Sequence, residues 1–209
     1  MILRKIVSLF RPKAAVLWTG GKDCALALHE AKKTVNVSYL VTFAPKDKAF
    51  QAHPIEIMKK QAQALGIPHL VLTLTEPYEE AYKKAFEDLR SHYGIETVIT
   101  GDIDRVMGYE NWVRACAEPL GFTVLTPLWQ KSREHLLEKY WNLGFEAVIT
   151  YVNPPLSSEW IGSSITKETI QKLKKIQGVD LCGENGEFHT MVTYGPGFSE
   201  KVVYSKSNT

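Results

Sequence analysis

Short apolar runs alternate with amphipathic segments through the first two thirds of this chain. The runs have the length of buried strands, and the segments between them have the apolar spacing that is typical of helices. This alternation predicts parallel strands joined by right-handed crossovers, so we expect an α/β fold with a doubly wound parallel sheet. The predicted strands are Ala14–Thr19, Val35–Phe43, His69–Leu74, Thr97–Thr100 and Phe122–Leu125, and the predicted helices are Asp23–Lys33, Pro54–Leu65, Pro77–Tyr93 and Tyr109–Leu120.

The alternation stops at Pro127, where a different order of elements begins. The remaining pattern predicts helices at Ser132–Leu143 and Thr166–Ile176 and strands at Phe145–Val152, Phe188–Tyr194 and Lys201–Tyr204. We therefore expect two domains, a first one over residues 1–126 and a smaller α+β domain over residues 127–209. A cleft is expected between them.

The segment Thr19–Cys24, called the glycine turn below, connects the first predicted strand to the first predicted helix. Gly20 and Gly21 let the backbone bend tightly and approach a ligand without a Cβ in the way. The next amides lie at a helix N-terminus, where N–H groups and the helix dipole favour a phosphate. Lys22 adds a positive charge, and Asp23 adds a carboxylate that can hold Mg²⁺ against phosphate oxygens. The glycine turn therefore predicts a site for the pyrophosphate group of a nucleotide.

The spacing of glycines excludes two better-known phosphate loops. A Walker A loop needs glycine, four residues and then Gly-Lys-Ser/Thr. A dinucleotide fingerprint needs Gly-x-Gly-x-x-Gly, but the next glycine after the turn is Gly66. Gly101 and Asp102 follow another predicted strand, and ligands of such sheets bind where the carboxyl ends of strands meet. The alternative interpretation of the turn is an ordinary strand–helix connection with solvated Lys22 and Asp23.

A second concentration of reactive groups lies at Cys182–Thr190, called the acidic segment below. Its glycines bend the backbone so that Glu184 and Glu187 can point to one place, beside Asn185 and His189. Carboxylates there can hold a cation, accept a proton from an attacking amine or bind a basic substrate. Taken alone, the pattern is more typical of a structural Asn-Gly turn before a strand.

Composition restricts the class of partner and the compartment. The 209 residues include 25 basic and 23 acidic ones, a formal net charge of +2, so a long nucleic acid is not expected as partner. Cys24, Cys116 and Cys182 form neither a CxxC nor a zinc pattern, which fits a reducing compartment. The apolar stretch Ile6–Phe10 is too short to cross a membrane, so we expect a cytoplasmic protein without a membrane partner.

Cys24 has two interpretations. It lies at a helix N-terminus, which can lower the pKa of a thiol, but the preferred interpretation is a small residue that fits the turn.

The two motifs resemble those of a known enzyme family. The glycine turn is similar to the Ser-Gly-Gly-x-Asp-Ser pyrophosphate loop of the N-type ATP pyrophosphatases, with Thr19 and Cys24 in place of the two serines. The acidic segment is similar to the Gly-Glu-Gly-Gly-Glu-Tyr/Phe-Glu/His-Thr signature of the diphthine–ammonia ligase family, and Gly-Asp-Ile and Pro-Leu-Trp stand between the motifs in the family's order. The match extends from about Val16 to Phe198, and the chain is identified as a member of that family.

The resemblance implies a fold of the adenine nucleotide alpha-hydrolase-like (HUP) type and a use of ATP and Mg²⁺. It implies that diphthine on elongation factor 2 is adenylated, with release of AMP and pyrophosphate, and then amidated by ammonia. The ATP-binding residues would be Thr19, Gly20, Gly21, Lys22, Asp23, Cys24, Gly101 and Asp102, with Asp23 as the metal ligand. The catalytic residues would be Lys22, Asp23, Glu184 and Glu187. The substrate-binding residues would be Gly183, Glu184, Asn185, Gly186, Glu187, His189 and Thr190.

Three alternatives remain open at this stage. The residues of the acidic segment are similar to those of a branch of the family that also occurs in bacteria, where diphthamide is not made. In that branch the acceptor can be a small carboxylic acid. A tRNA-modifying enzyme with a related loop is disfavoured by the balanced charge and the unpaired cysteines. A nucleotide-binding module without catalysis is compatible with the two replaced serines. A homo-oligomer is possible in each case.

Overall fold

The computed structural model of this chain describes residues 13–46, 52–105 and 110–205. Seven strands and six α-helices are described in these ranges. The strands are β1 Lys13–Leu17, β2 Asn36–Pro45, β3 His69–Leu74, β4 Thr97–Ile99, β5 Thr123–Leu125, β6 Glu146–Val152 and β7 Phe188–Tyr194. The helices are α1 Lys22–Ala31, α2 Ile55–Leu65, α3 Tyr78–Tyr93, α4 Trp112–Ala117, α5 Arg133–Asn142 and α6 Lys167–Leu173. Short 3₁₀ helices lie at Glu118–Leu120 and Ser158–Trp160.

The first five strands form one parallel sheet in the order β3-β2-β1-β4-β5. Alternate residues of β1 enter two buried clusters: Val16 packs with residues of α1 and α2, and Ala15 packs with residues of α3 and α4. Helices therefore cover both faces, and the predicted doubly wound parallel sheet is confirmed. The chain moves outward from β1 to β3 and then returns to the other side of β1, so the order reverses between β1 and β4.

The helix ends follow the expected glycine chemistry. α2 and α3 end at Gly66 and Gly94, whose φ angles of 63° and 65° are left-handed. The fourth predicted helix is shorter than expected, because Asn111 accepts a hydrogen bond from the Arg114 N–H and caps α4 two residues after the expected start. Tyr109, the expected first residue, lies outside the described residues.

The last third of the chain forms a small antiparallel sheet of β6 and β7, packed with α5 and α6. The strand predicted at Lys201–Tyr204 is wrong, since this segment is irregular, although the Val202 N–H donates to the carbonyl of Thr193 in β7 at 2.8 Å. The physical reason is that side-chain packing holds the segment: Val202 is buried in the core and Tyr204 packs against it, and the bond to Thr193 of β7 is not extended into a ladder among the described residues.

The small sheet and the first part of the parallel sheet share one buried cluster. Trp18, which follows β1, and Leu26 of α1 lie in this cluster. Leu137 of α5, Ile149 of β6 and Met191 of β7 lie in it as well. The boundary at residue 126 stays a prediction. Among the described residues, no helix is long and apolar enough to cross a membrane.

Candidate active site

A cavity of about 680 Å³ lies at the carboxyl ends of β1, β2 and β4, beside the point where the strand order reverses. This central cavity is bounded on one side by the glycine turn and on the other by the acidic segment. Thirteen of the residues that the sequence predicts for the site line it: Thr19, Gly21, Lys22, Asp23, Cys24, Gly101, Asp102, Gly183, Glu184, Asn185, Gly186, His189 and Thr190. Gly20 and Glu187 do not.

Glycine is required at two points of close approach, to a buried side chain at Gly20 and to the backbone at Gly101. Gly20 has a φ of 76°, and a Cβ there would lie 2.5 Å from Gln61 Oε1. Gly101 follows β4, and a Cβ there would lie 2.6 Å from the Cys24 backbone nitrogen. Both distances are shorter than atomic contact allows, so a side chain at either position would push the glycine turn out of place.

Lys22 supplies a fixed positive charge to the cavity wall. Its side chain is only 3% exposed, and its ammonium donates to Asp23 Oδ2 at 2.7 Å and to the Cys182 carbonyl. Burial by itself lowers the pKa of a lysine, but the charges of Asp23 and Glu184 outweigh burial and raise the pKa of Lys22. Lys22 therefore stays protonated, and it connects the glycine turn to the acidic segment.

The Asp23 carboxylate is a quarter exposed and faces the cavity from the first turn of α1. Asp102 lines the same cavity, with Oδ2 accepting a 2.6 Å hydrogen bond from the Asn111 amide. No group of three metal-ligating side chains is present among residues 13–46, 52–105 and 110–205. Mg²⁺ in nucleotide sites binds through one or two carboxylates and the phosphate oxygens. Asp23 fits that role, and the phosphates and water would supply the other ligands.

Cys24 is a buried thiol rather than an activated nucleophile. Its Sγ donates to the Gly21 carbonyl at 3.1 Å and receives a 3.7 Å contact from the Thr19 hydroxyl. Burial raises the pKa of the Cys24 thiol to about 11. The structure therefore favours the interpretation of Cys24 as a small residue that fits the turn.

Glu184 is the carboxylate of the acidic segment that reaches the cavity. Its Oε2 accepts a 3.2 Å hydrogen bond from the Ile103 N–H, which lies just beyond β4. Burial and the nearby charge of Asp23 raise the pKa of Glu184 to about 7, although Lys22 acts in the opposite direction. Glu184 therefore exchanges a proton near neutral pH, which suits a general acid or base.

Glu187 has a different environment from Glu184, and a catalytic role for it does not fit the geometry. The residue is 5% exposed and lies outside the cavity lining. Its carboxylate accepts hydrogen bonds from the Asp180 N–H at 2.8 Å and from the N–H and the side-chain amide of Asn185. These bonds fold the acidic segment, so Glu187 shapes the loop that presents Glu184.

An ion pair holds the same segment from the other side. Arg133, the first residue of α5, donates to Asp180 Oδ2 at 2.9 Å. The other oxygen of Asp180 accepts from the Cys182 N–H at 2.8 Å and from the Glu184 N–H at 3.4 Å. Thr190, at the end of the segment, accepts from the Lys22 N–H at 3.1 Å. The acidic segment is therefore held both by α5, through Arg133 and Asp180, and by the glycine turn, through Lys22 and Thr190.

Two histidines form an uncharged wall of the cavity. His53 Nδ1 donates to the Thr19 carbonyl at 3.0 Å, and its ring lies edge to face with His189, with 4.9 Å between centroids. Burial and the neighbouring His189 lower the pKa of His53 to about 4, and burial and Lys22 lower the pKa of His189. The sequence interpretation missed His53, to which it gave no role. Its place in the connection that leads from the carboxyl end of β2 to α2 was the available signal.

The sequence analysis also missed several other residues that line the central cavity. They share positions at or near the carboxyl ends of the central strands, and they include Trp18, Val41, Thr42, Phe43 and Thr100. Tyr82 and Val113 join them from α3 and α4. These side chains give the cavity a largely apolar wall beside the charged glycine turn. Such a combination suits a ligand with a flat base and a phosphate group.

Comparison with known proteins gives consistent matches. A diphthine–ammonia ligase of Schizosaccharomyces pombe is 30% identical over 128 residues, which cover 60% of this chain and 21% of the relative. A diphthine–ammonia ligase of Saccharomyces cerevisiae is 26% identical over 230 aligned positions, which cover 89% of this chain and 33% of the relative. The chain thus spans a third or less of the length of these curated relatives.

A solved structure described as a predicted subunit of tRNA methyltransferase, from Methanocaldococcus jannaschii, superposes with a TM-score of 0.47 at 20% identity. The superposition covers 70% of this chain and 81% of that one, and the score is too low to add to the assignment.

The sequence models of two domains match this chain in consecutive order. The diphthamide synthase N-terminal domain matches residues 12–123, and the diphthamide synthase C-terminal domain matches residues 132–208. This chain belongs to the diphthamide synthase family.

Proposed function

We propose that the chain is an ATP-dependent ligase that joins ammonia to a carboxylate, with diphthine on elongation factor 2 as the acceptor. The observation that carries the proposal is the meeting of the glycine turn and Glu184 in one cavity. Lys22 and Asp23 suit the phosphate chain of ATP, and Glu184 suits an amine nucleophile. The names of the relatives support the same reaction, although the chain covers only part of their length.

The first step activates the carboxylate. A carboxylate is a poor electrophile, so one of its oxygens attacks the α-phosphorus of ATP, and the bond from that phosphorus to the bridging oxygen breaks. Pyrophosphate leaves with the bonding electrons, and its charge is stabilised by the buried ammonium of Lys22, which needs no reorganisation because Asp23 and Cys182 already hold it. Mg²⁺ supplies further neutralisation of phosphate charge when it is bound at Asp23.

The second step forms the amide. Ammonia attacks the acyl carbon of the adenylate, a carbon–nitrogen bond forms, and AMP leaves with the electrons of the carbon–oxygen bond. The nitrogen must lose one proton, and Glu184 is the acceptor for it, because a pKa raised to about 7 combines basicity with an ionised fraction at neutral pH. The neutral rings of His53 and His189 do not compete for that proton, since their pKa values are lowered.

The test is product analysis with ATP labelled with ³²P at the α-phosphate, in the presence of Mg²⁺ and ammonium. AMP formation that depends on diphthine-bearing elongation factor 2 is the expected result, with Asp23→Ala as the inactive control. AMP formation that depends instead on a small carboxylic acid would retain the chemistry and replace the acceptor. Release of ADP would contradict the mechanism, and tight nucleotide binding without turnover on any acceptor would contradict the activity.

A further inference from the structure

Gln61 is a buried polar residue that the chemistry proposed above does not use. It lies in α2, it is 0% exposed, and it does not line the central cavity. Its side-chain amide makes three hydrogen bonds: Oε1 accepts from the Trp18 indole at 3.0 Å, and Nε2 donates to the carbonyls of Gly20 at 2.9 Å and Val192 at 2.7 Å. A buried amide with three partners is specific to one arrangement of the surrounding backbone.

The orientation of the amide follows from its partners. The reversed orientation would direct the oxygen at two carbonyl oxygens and the NH₂ group at the indole N–H. Only glutamine has the length and the pair of donors for this position. Gln61 therefore discriminates among side chains more strictly than a buried apolar residue would.

The three partners belong to different parts of the molecule. Trp18 follows β1, Gly20 is the first glycine of the glycine turn, and Val192 lies in β7 of the small sheet. The Val192 N–H also donates to the Gly20 carbonyl at 2.8 Å, so this carbonyl accepts two hydrogen bonds. The Gly20 peptide is thereby fixed from two sides in a left-handed conformation with a φ of 76°.

We infer that Gln61 is a positioning residue, which fixes the peptide of Gly20 and so sets the direction of the glycine-turn amides that receive the phosphates of ATP. This inference rests on the proposed function, because it takes the glycine turn as the ATP site. Gln61 itself does not touch the nucleotide. Its effect passes through the Gly20 peptide and through β7, whose Thr190 accepts from the Lys22 N–H.

The decisive variant is Gln61→Glu, with Gln63→Glu as its matched control. Gln63 lies on the same helix, two residues further on, and is exposed. The glutamate at position 61 keeps the acceptor for Trp18 but, when ionised, loses both donors and faces two carbonyl oxygens. When protonated it regains one donor, and the pKa of a carboxyl buried in such a place is raised by several units, up to about 8 or 9.

The full-length variants are compared by ATP affinity, by AMP formation and by thermal unfolding, from about pH 6 to about pH 8.5. Gln61→Glu is expected to bind ATP at least about fivefold more weakly at the upper end of the range and to recover as pH falls. The KM for ATP should rise while the KM for the acceptor stays constant. Gln63→Glu should match the unsubstituted protein throughout.

Gln61→Met covers the case in which Gln61→Glu does not fold. Methionine has a similar length and introduces no charge, so a folded variant with weaker, pH-independent ATP binding supports the inference. Wild-type ATP affinity in either folded variant across the whole range overturns it. If the unsubstituted protein binds ATP but forms no AMP, the proposed activity fails while the affinity comparison still decides the role of Gln61.

Discussion

Replacement of Glu184 by glutamine should raise stability and lower activity at the same time. The pKa of Glu184 is raised from 4.5 to about 7 by burial and by the charge of Asp23. In the unfolded chain this carboxyl ionises near 4.5, whereas in the folded protein ionisation is opposed until about pH 7. The free energy of unfolding therefore falls as pH rises between these two values. The loss reaches about 3 kcal/mol once Glu184 is ionised in both the folded and the unfolded protein.

Glutamine removes this cost without removing the local hydrogen bond. Its side-chain oxygen can still accept from the Ile103 N–H, the bond that Glu184 makes at 3.2 Å. We expect the free energy of unfolding of Glu184→Gln to exceed that of the unsubstituted protein by up to about 3 kcal/mol at about pH 8. No gain is expected at about pH 4, where the carboxyl is protonated in both states. Urea denaturation at the two pH values measures the difference.

The activity of the same variant should change in the opposite direction. AMP-forming turnover of the unsubstituted protein with its acceptor should increase as pH rises through about 7, because Glu184 must be ionised to accept a proton. Loss of a general base lowers the rate about 10²- to 10⁴-fold. The rising limb of the pH–rate profile, which is the increase in turnover through about pH 7, should be absent in Glu184→Gln.

Glu187→Gln is the matched control for Glu184→Gln. Its carboxylate accepts from three N–H groups of Asp180 and Asn185, and glutamine would direct an NH₂ group at some of them. Glu187→Gln should therefore destabilise the protein and leave the pH limb in place. If Glu184→Gln is no more stable at about pH 8 and keeps the limb, the assignment of Glu184 as a proton acceptor is refuted.

Three further outcomes are expected. Asp23→Ala should lower AMP formation by at least about 10²-fold in the variant that folds, since it removes the partly buried carboxylate that holds Lys22, and ordinary turnover would contradict the role of Asp23. Gly101→Ala should weaken ATP binding and destabilise the protein by about 1 to 3 kcal/mol, because its Cβ would lie 2.6 Å from the Cys24 nitrogen; calorimetry and thermal unfolding measure both effects. The Cys24 thiol, with a pKa raised to about 11, should resist alkylation in the native protein, and Cys24→Ser should keep activity, as mass spectrometry and AMP release will show.

The fold of the first two thirds could be predicted because its signals are local. Apolar runs and helical periodicity predict β1 to β5 and the helices between them, and the glycine turn follows from residues that are adjacent in the chain. Errors occurred where packing decides the outcome. The segment Lys201–Tyr204 alternates as a strand does, but it stays irregular, with one backbone hydrogen bond to β7 from Val202 and the side chains of Val202 and Tyr204 packed on the core.

The acidic segment could be recognised from the sequence, but the roles of its two glutamates could not. Both have the same chemistry and stand three residues apart, yet Glu184 faces the cavity and Glu187 faces backbone N–H groups of its own loop. The difference depends on how the loop folds around Asp180, which Arg133 holds. Local propensity does not encode such a difference.

The amino-acid sequence by itself determined the parallel sheet. It also predicts a phosphate site at the glycine turn, and the resemblance assigns the acidic segment to the same site. Only the tertiary structure decided which groups meet there. Lys22 reaches the carbonyl of Cys182, and Gln61 joins Gly20 to Val192, across separations of 160 and 131 residues. Contacts over such distances depend on the packing of β7 against the glycine turn. That packing is a property of the whole buried core, which no local pattern records.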